Sequence, residues 1–118
     1  MTNHCIYFKP LKVFSAEKRP AVLSEFGGYS YIVAEHVYGN NSFGYKMFKT
    51  QAEFEDALCK LYENEVMALV NAGVSALVYT QLSDIEDETN GLITYDREVV
   101  KVNKDRCREV MAKITASN

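Results

Sequence analysis

The chain reads as an α/β protein with parallel strands covered by helices. Three observations predict this. Residues 21–24 are an apolar run that follows Pro20 and ends at Glu25, ahead of Gly27 and Gly28. Residues 51–72 carry a helical hydrophobic period behind a capping box. Residues 74–80, Val-Ser-Ala-Leu-Val-Tyr-Thr, are apolar without a polar face, as in a strand buried on both sides of a parallel sheet. Strand, long helix and strand in that order make a βαβ unit.

Each element has a local reason. Pro20 opens the first strand where its missing N–H does least damage, and the two glycines end it in a turn. Residues 29–49 read as loop, rich in tyrosine and glycine, with a short helical turn expected over 31–37. Thr50-Gln51-Ala52-Glu53 is a capping box in which Thr50 accepts from the Glu53 N–H and Glu53 reaches back. Behind it Phe54, Ala57, Leu58, Leu61, Val66, Leu69 and Val70 hold the helical period, and Gly73 supplies the C-terminal stop. Residues 81–97 are polar and acidic with an Asn90-Gly91 turn, and 98–102 read as extended. Asn103 caps a last helix with Cys107, Val110, Met111 and Ile114 on one face.

Composition excludes several classes. The 118 residues make one domain, 47% hydrophobic and 25% charged, which is ordinary for a globular chain. No apolar run is long enough for a membrane span, and residues 1–9 lack the apolar stretch of a signal peptide. The net charge is −3, so no basic field offers itself to nucleic acid. The charge is segregated: +3 over residues 1–50, −9 over 51–100 and +3 over 101–118. Cys5, Cys59 and Cys107 are isolated thiols without a zinc spacing, read as small hydrophobes in a reducing, cytoplasmic setting. The glycines form neither a dinucleotide fingerprint nor a P-loop. The acidic run Asp84-Ile85-Glu86-Asp87-Glu88 lacks the spacing of a calcium loop and reads as a solvated loop. No metal and no cofactor are expected.

The residue that points to chemistry is Glu25. It stands at the end of a buried strand, where α/β folds build their sites, and the glycines behind it let backbone approach a ligand. From pattern alone it is either a site carboxylate or one half of an ion pair.

Arg19-Pro20-Ala21-Val22-Leu23-Ser24-Glu25-Phe26-Gly27-Gly28 resembles the nucleophile strand of glycoside hydrolase family two, the β-galactosidases, β-glucuronidases and β-mannosidases. Phe43-Gly44-Tyr45, Tyr79-Thr80-Gln81-Leu82-Ser83-Asp84-Ile85-Glu86-Asp87-Glu88-Thr89-Asn90-Gly91-Leu92 and Tyr95-Asp96-Arg97 resemble that family's downstream segments, in the same order. The likeness runs over residues 4–102. It implies the carboxyl-terminal part of a (β/α)8 barrel, units six to eight. Residues 1–18 would be the tail of the sixth unit, 21–25 the seventh strand, 51–72 the seventh helix and 74–80 the eighth strand. A whole barrel takes about 250 residues, so residues 1–118 would be a partial catalytic domain.

The resemblance further implies hydrolysis of β-O-glycosidic bonds with retention, with Glu25 as the nucleophile. Tyr79 falls where the family has an aromatic platform for the sugar ring, and reads equally as a core tyrosine. Gln81 reads as a hydroxyl-binding amide or a loop residue. His4 is similar to a His-x-Tyr feature that touches substrate. The family's acid/base lies in an Asn-Glu pair upstream of the nucleophile, and nothing upstream of Glu25 fits. Asn64-Glu65 lies downstream, inside helix 51–72, and is read as an exposed helix face. The expectation is a carbohydrate-directed chain that is inactive alone. The alternatives are a non-catalytic remnant, or a complementation piece that self-associates or pairs with the rest of a barrel.

Overall fold

In the computed structural model, residues 2–5 are described by their backbone and residues 20–116 in full. The chain order is β1 (Thr2–Cys5), β2 (Ala21–Gly27), β3 (Tyr29–Tyr31), β4 (Lys46–Phe48), α1 (Gln51–Lys60), a π-helical stretch (Leu61–Val66), α2 (Met67–Asn71), β5 (Val74–Thr80) and α3 (Lys104–Ala116). β1, β2 and β5 form a parallel three-stranded sheet with β2 in the middle. β3 and β4 form a second parallel pair.

The long helix is continuous but changes its winding. Thr50 Oγ1 accepts from the Glu53 N–H at 3.2 Å. The return half of the box goes one residue further back, to the Lys49 N–H at 3.3 Å. The π-helical stretch adds residues to the turn, so the neighbours Leu61 and Tyr62 are both buried. Phe54, Leu58, Cys59, Val66 and Leu69 complete the buried stripe. Gly73 ends the helix at φ +103°, a conformation that costs a side-chain-bearing residue strain. Asn103 Oδ1 accepts from the N–H groups of Asp105 and Arg106 and starts α3.

The core lies between one face of the sheet and the helices. Leu23 and Phe26 are its contribution from β2, and Leu77 and Tyr79 pack on it from β5. Leu23 and Phe26 are three residues apart, so in a regular strand they would face opposite ways. The pairing of β2 with β5 slips between Leu23 and Phe26. That irregularity turns both side chains to the helices and places Glu25 on the other face, with Ala76, Val78 and Thr80. Val78 is 52% exposed, so this face is open to solvent.

The expectation of a (β/α)8 barrel portion is corrected here. Among the described residues there is a three-stranded sheet with no closure, and barrel closure needs eight staggered strands. β2 and β5 are separated by an extra parallel pair as well as by the helix. Beyond β5 the chain does not start another βα unit. Residues 81–103 instead run as a loop tied by single bridges such as Ser83 to Ile93 and Ile93 to Val100. The helical turn expected over 31–37 is also corrected: Tyr29–Tyr31 is strand, and only a tight turn at Ala34 and Glu35 follows. The stretch 98–102 contributes one bridge and no strand. The proposed tail of the sixth unit, residues 1–18, lies outside the described residues except for the backbone of β1. No helix among the described residues is long and apolar enough to cross a membrane.

Candidate functional site

The site begins at the carboxyl ends of β2 and β5. Thr80 Oγ1 donates to Glu25 Oε1 at 3.4 Å, linking the end of β5 to the carboxyl-terminal part of β2 on the open face of the sheet. Gly27 sits at φ +106° directly after Phe26. A Cβ there would stand 2.5 Å from Tyr79 Cε2 and 2.9 Å from the Thr80 carbonyl oxygen. So the glycine is required, but the group that comes close is the Tyr79 ring of the protein itself. The Gly28 N–H then donates to the Thr80 carbonyl at 2.9 Å and closes the strand ends together.

Tyr79 points the other way from Glu25, into the core. Its ring stands edge-on to Phe26 at 5.5 Å and tilted to Tyr62 at 6.1 Å. Burial pushes its hydroxyl far above the ordinary tyrosine range, with Tyr62 adding to the effect. The hydroxyl oxygen is buried and has no hydrogen-bond partner. Gln81 follows a cis peptide bond at Thr80. Its amide donates to Asn90 Oδ1 at 2.6 Å, and its backbone N–H to the Asn90 carbonyl at 3.3 Å. His4 is placed by its backbone alone, in register with Leu23; its side chain lies outside the described residues. The sheet therefore brings Glu25, Thr80 and the start of the Gln81 loop together, while Tyr79 occupies the opposite face.

The loop behind the site is held by a buried ion pair. Lys101 Nζ lies 2.7 Å from Asp84 Oδ1 and donates to the Thr89 carbonyl at 3.0 Å. Asp84 Oδ1 also accepts from the Gly91 N–H at 2.8 Å. A Cβ on Gly91 would fall 2.2 Å from the Asp84 backbone nitrogen, so this crossing tolerates glycine only. Burial pushes the Asp84 carboxyl up and the Lys101 ammonium down, in each case against the attraction of the partner. One residue of the acidic run expected to be solvated is thus a core residue.

A second pair joins the loops that follow β3 and β5. His36 Nδ1 lies 2.7 Å from Asp96 Oδ2. A carboxylate only accepts, so this nitrogen carries the hydrogen. The Thr94 hydroxyl at 2.6 Å is the main influence that holds the Asp96 carboxyl down, at about 2 against an ordinary 3.8, with His36 and the Glu98 N–H assisting. A depressed carboxyl stabilises the fold fully above its unfolded value, and the stabilisation is lost as pH falls through the folded one. Wild type is therefore expected to lose stability between about pH 4 and about pH 2 in a step that Asp96→Asn lacks. Urea midpoints measured across that range check it.

Sequence reasoning missed Thr80, Lys101 and the His36–Asp96 pair. Neither pair joins residues closer than 17 positions apart, so no local pattern marks them. A shallow cleft of about 440 Å³ lies between α1 and β4, lined by Phe48, Glu53, Asp56, Ala57 and Lys60, and contains none of the site residues. Among the described residues no three His, Cys, Asp or Glu side chains gather as metal ligands. No protein-family model matches the chain, and no curated protein is significantly similar to it.

Proposed function

We propose that Glu25 is the attacking carboxylate of a site that cleaves β-O-glycosidic bonds with retention, and that this chain carries the nucleophile half of that site. The supporting observation is the register slip in β2 that turns Glu25 out of the core and toward Thr80, at the carboxyl end of a parallel strand. In the first step a Glu25 oxygen bonds to the anomeric carbon, and the glycosidic C–O bond breaks with its electron pair on the leaving oxygen. In the second, water displaces the carboxylate and gives its proton to a base. The Thr80 hydroxyl supports the ionised carboxylate by donating to it. Gln81 is positioned by Asn90 to offer its amide to a sugar hydroxyl. Tyr79 serves this reading by holding Phe26 and the strand end in place from the core side, away from any sugar at Glu25; His4 is the further candidate for a sugar contact.

We assign no residue of this chain to the second carboxyl that protonates the leaving oxygen. General acid help is worth about 10²–10⁴ in rate, so the chain alone is expected to turn over unactivated β-glycosides negligibly. The nucleophile can be tested without the acid. A 2-deoxy-2-fluoro-β-glycosyl fluoride has a leaving group that needs no proton, and its fluorinated ring slows release of the intermediate. Galacto, glucurono and manno forms are each incubated with the chain, and adducts are mapped by mass spectrometry. The expected result is a covalent sugar on Glu25 with one of the three, absent in Glu25→Gln. Failure of all three to label Glu25 overturns the proposal.

The exposed Ala76 and Val78 on the face that holds Glu25 favour a second reading in which another polypeptide covers this sheet and brings the missing carboxyl. Size-exclusion chromatography tests it: a monomer at all concentrations speaks against self-association. We propose a cytoplasmic setting, a reading supported by the isolated spacing of the three cysteines.

A further inference from the structure

We infer that Cys59 and Cys107 form an oxidisable dithiol that can be closed into a disulfide between α1 and α3. The two helices run side by side in the same direction, and four contacts set their register. Glu55 accepts from the Asn103 N–H at 2.6 Å and from Arg106 Nη1 at 3.1 Å. Arg106 Nη1 also reaches Asp56 Oδ1 at 2.6 Å. Further along, Lys113 Nζ reaches Glu63 Oε1 at 3.4 Å. Cys59 is one turn beyond Glu55, and Cys107 one turn beyond Asn103, so both stand on the shared seam between these contacts. After burial, Cys59 is the largest influence on the Cys107 thiol.

Their exposure differs in a useful way. Cys59 is 2% exposed and part of the core, whereas Cys107 is partly open to solvent. Cys107 is therefore the sulfur that a small oxidant meets first. With a low-molecular-weight disulfide such as glutathione disulfide, the Cys107 thiolate attacks one sulfur and expels one glutathione thiolate. The Cys59 thiolate then attacks the Cys107 sulfur of the mixed disulfide and expels the second. The protein loses two hydrogens, the reagent gains them as two glutathione thiols, and one protein S–S bond has formed. Burial is the main cause that raises both thiols above the ordinary range, so the exchange is slow and the closed form, once made, is shielded. The bond ties α1 to α3 around β5 and the whole loop that carries Asp84 and Lys101.

The test uses the intact chain, incubated with an excess of glutathione disulfide, digested without reduction and mapped by mass spectrometry. The expected product is a Cys59–Cys107 linked peptide, with a melting temperature raised by about 10 °C and restored by dithiothreitol. Cys5→Ser behaves like wild type, and Cys107→Ser shows no shift. The proposal is overturned if glutathione remains on Cys107 while Cys59 stays a free thiol, or if the linkage found is to Cys5 or between chains. The digest of wild type decides the matter even where Cys107→Ser does not fold.

Discussion

Lys101→Ala is expected to lower the unfolding free energy by about 3–5 kcal/mol, the usual consequence of breaking a buried ion pair from one side. Lys101 is 1% exposed, and its ammonium serves two acceptors, Asp84 Oδ1 at 2.7 Å and the Thr89 carbonyl at 3.0 Å. Truncation leaves the Asp84 carboxylate in the interior with only the Gly91 N–H, and leaves Thr89 without its donor. For a chain of this length each kcal/mol moves the melting temperature by about 4 °C, so the transition falls by roughly 12–20 °C. Removing both charges is a different experiment. Burial outweighs mutual attraction for both groups, raising one and lowering the other. The double variant Asp84→Asn with Lys101→Met is therefore expected to recover most of the loss, since a buried pair contributes little beyond its neutral isostere. Urea unfolding with an unchanged slope separates these outcomes. A single variant that loses less than about 1 kcal/mol would show that water reaches the pair.

How far this molecule is legible from its residues depends on the range over which each feature is decided. The helix from Gln51, the strand Val74–Thr80 and the cap at Asn103 are local, and period, capping box and a side-chain oxygen suffice to place them. The π-helical stretch is local too, yet its only trace is that Leu61 and Tyr62 are neighbours and both apolar. β3 and β4 are three residues each, too short for an alternation to register, and they pair across a loop. The barrel expectation failed for the same reason: words of sequence resemble a family strand by strand, but how many strands a sheet has, and whether it closes, is settled between elements. Asp84 lies within an acidic run that looks uniformly solvated, and only the close crossing of Gly91 and the reach of Lys101 single it out. For the site, the turn glycines mark the strand end that holds Glu25. The face that Glu25 takes was not legible, because the slip in β2 has no glycine or proline at Ser24 or Glu25 to announce it.

Phe26→Ala tests that slip, and its expected cost is about 3–5 kcal/mol. Phe26 is 1% exposed, and its ring meets Tyr62 and Tyr79 edge-on, each at 5.5 Å. The edge contacts are worth about 0.5–1.5 kcal/mol apiece, so most of the loss comes from lost burial and from the cavity left behind. Phe26→Leu keeps much of the volume and is expected to lose about half as much or less. The variant also reports on chemistry. Phe26 wedges the end of β2 against the helix, and Glu25 is the next residue back on the opposite face, so a collapsed wedge lets the carboxylate turn. Labelling of Glu25 by the fluorinated sugar is then expected to slow in Phe26→Ala more than in Phe26→Leu, at temperatures where both remain folded. A small loss on Phe26→Ala, below about 1 kcal/mol, would mean that the ring is not seated under the helix. Phe26 and Glu25 occupy opposite faces of one strand, so that result would return Glu25 to the core side and remove the basis for assigning it to a sugar.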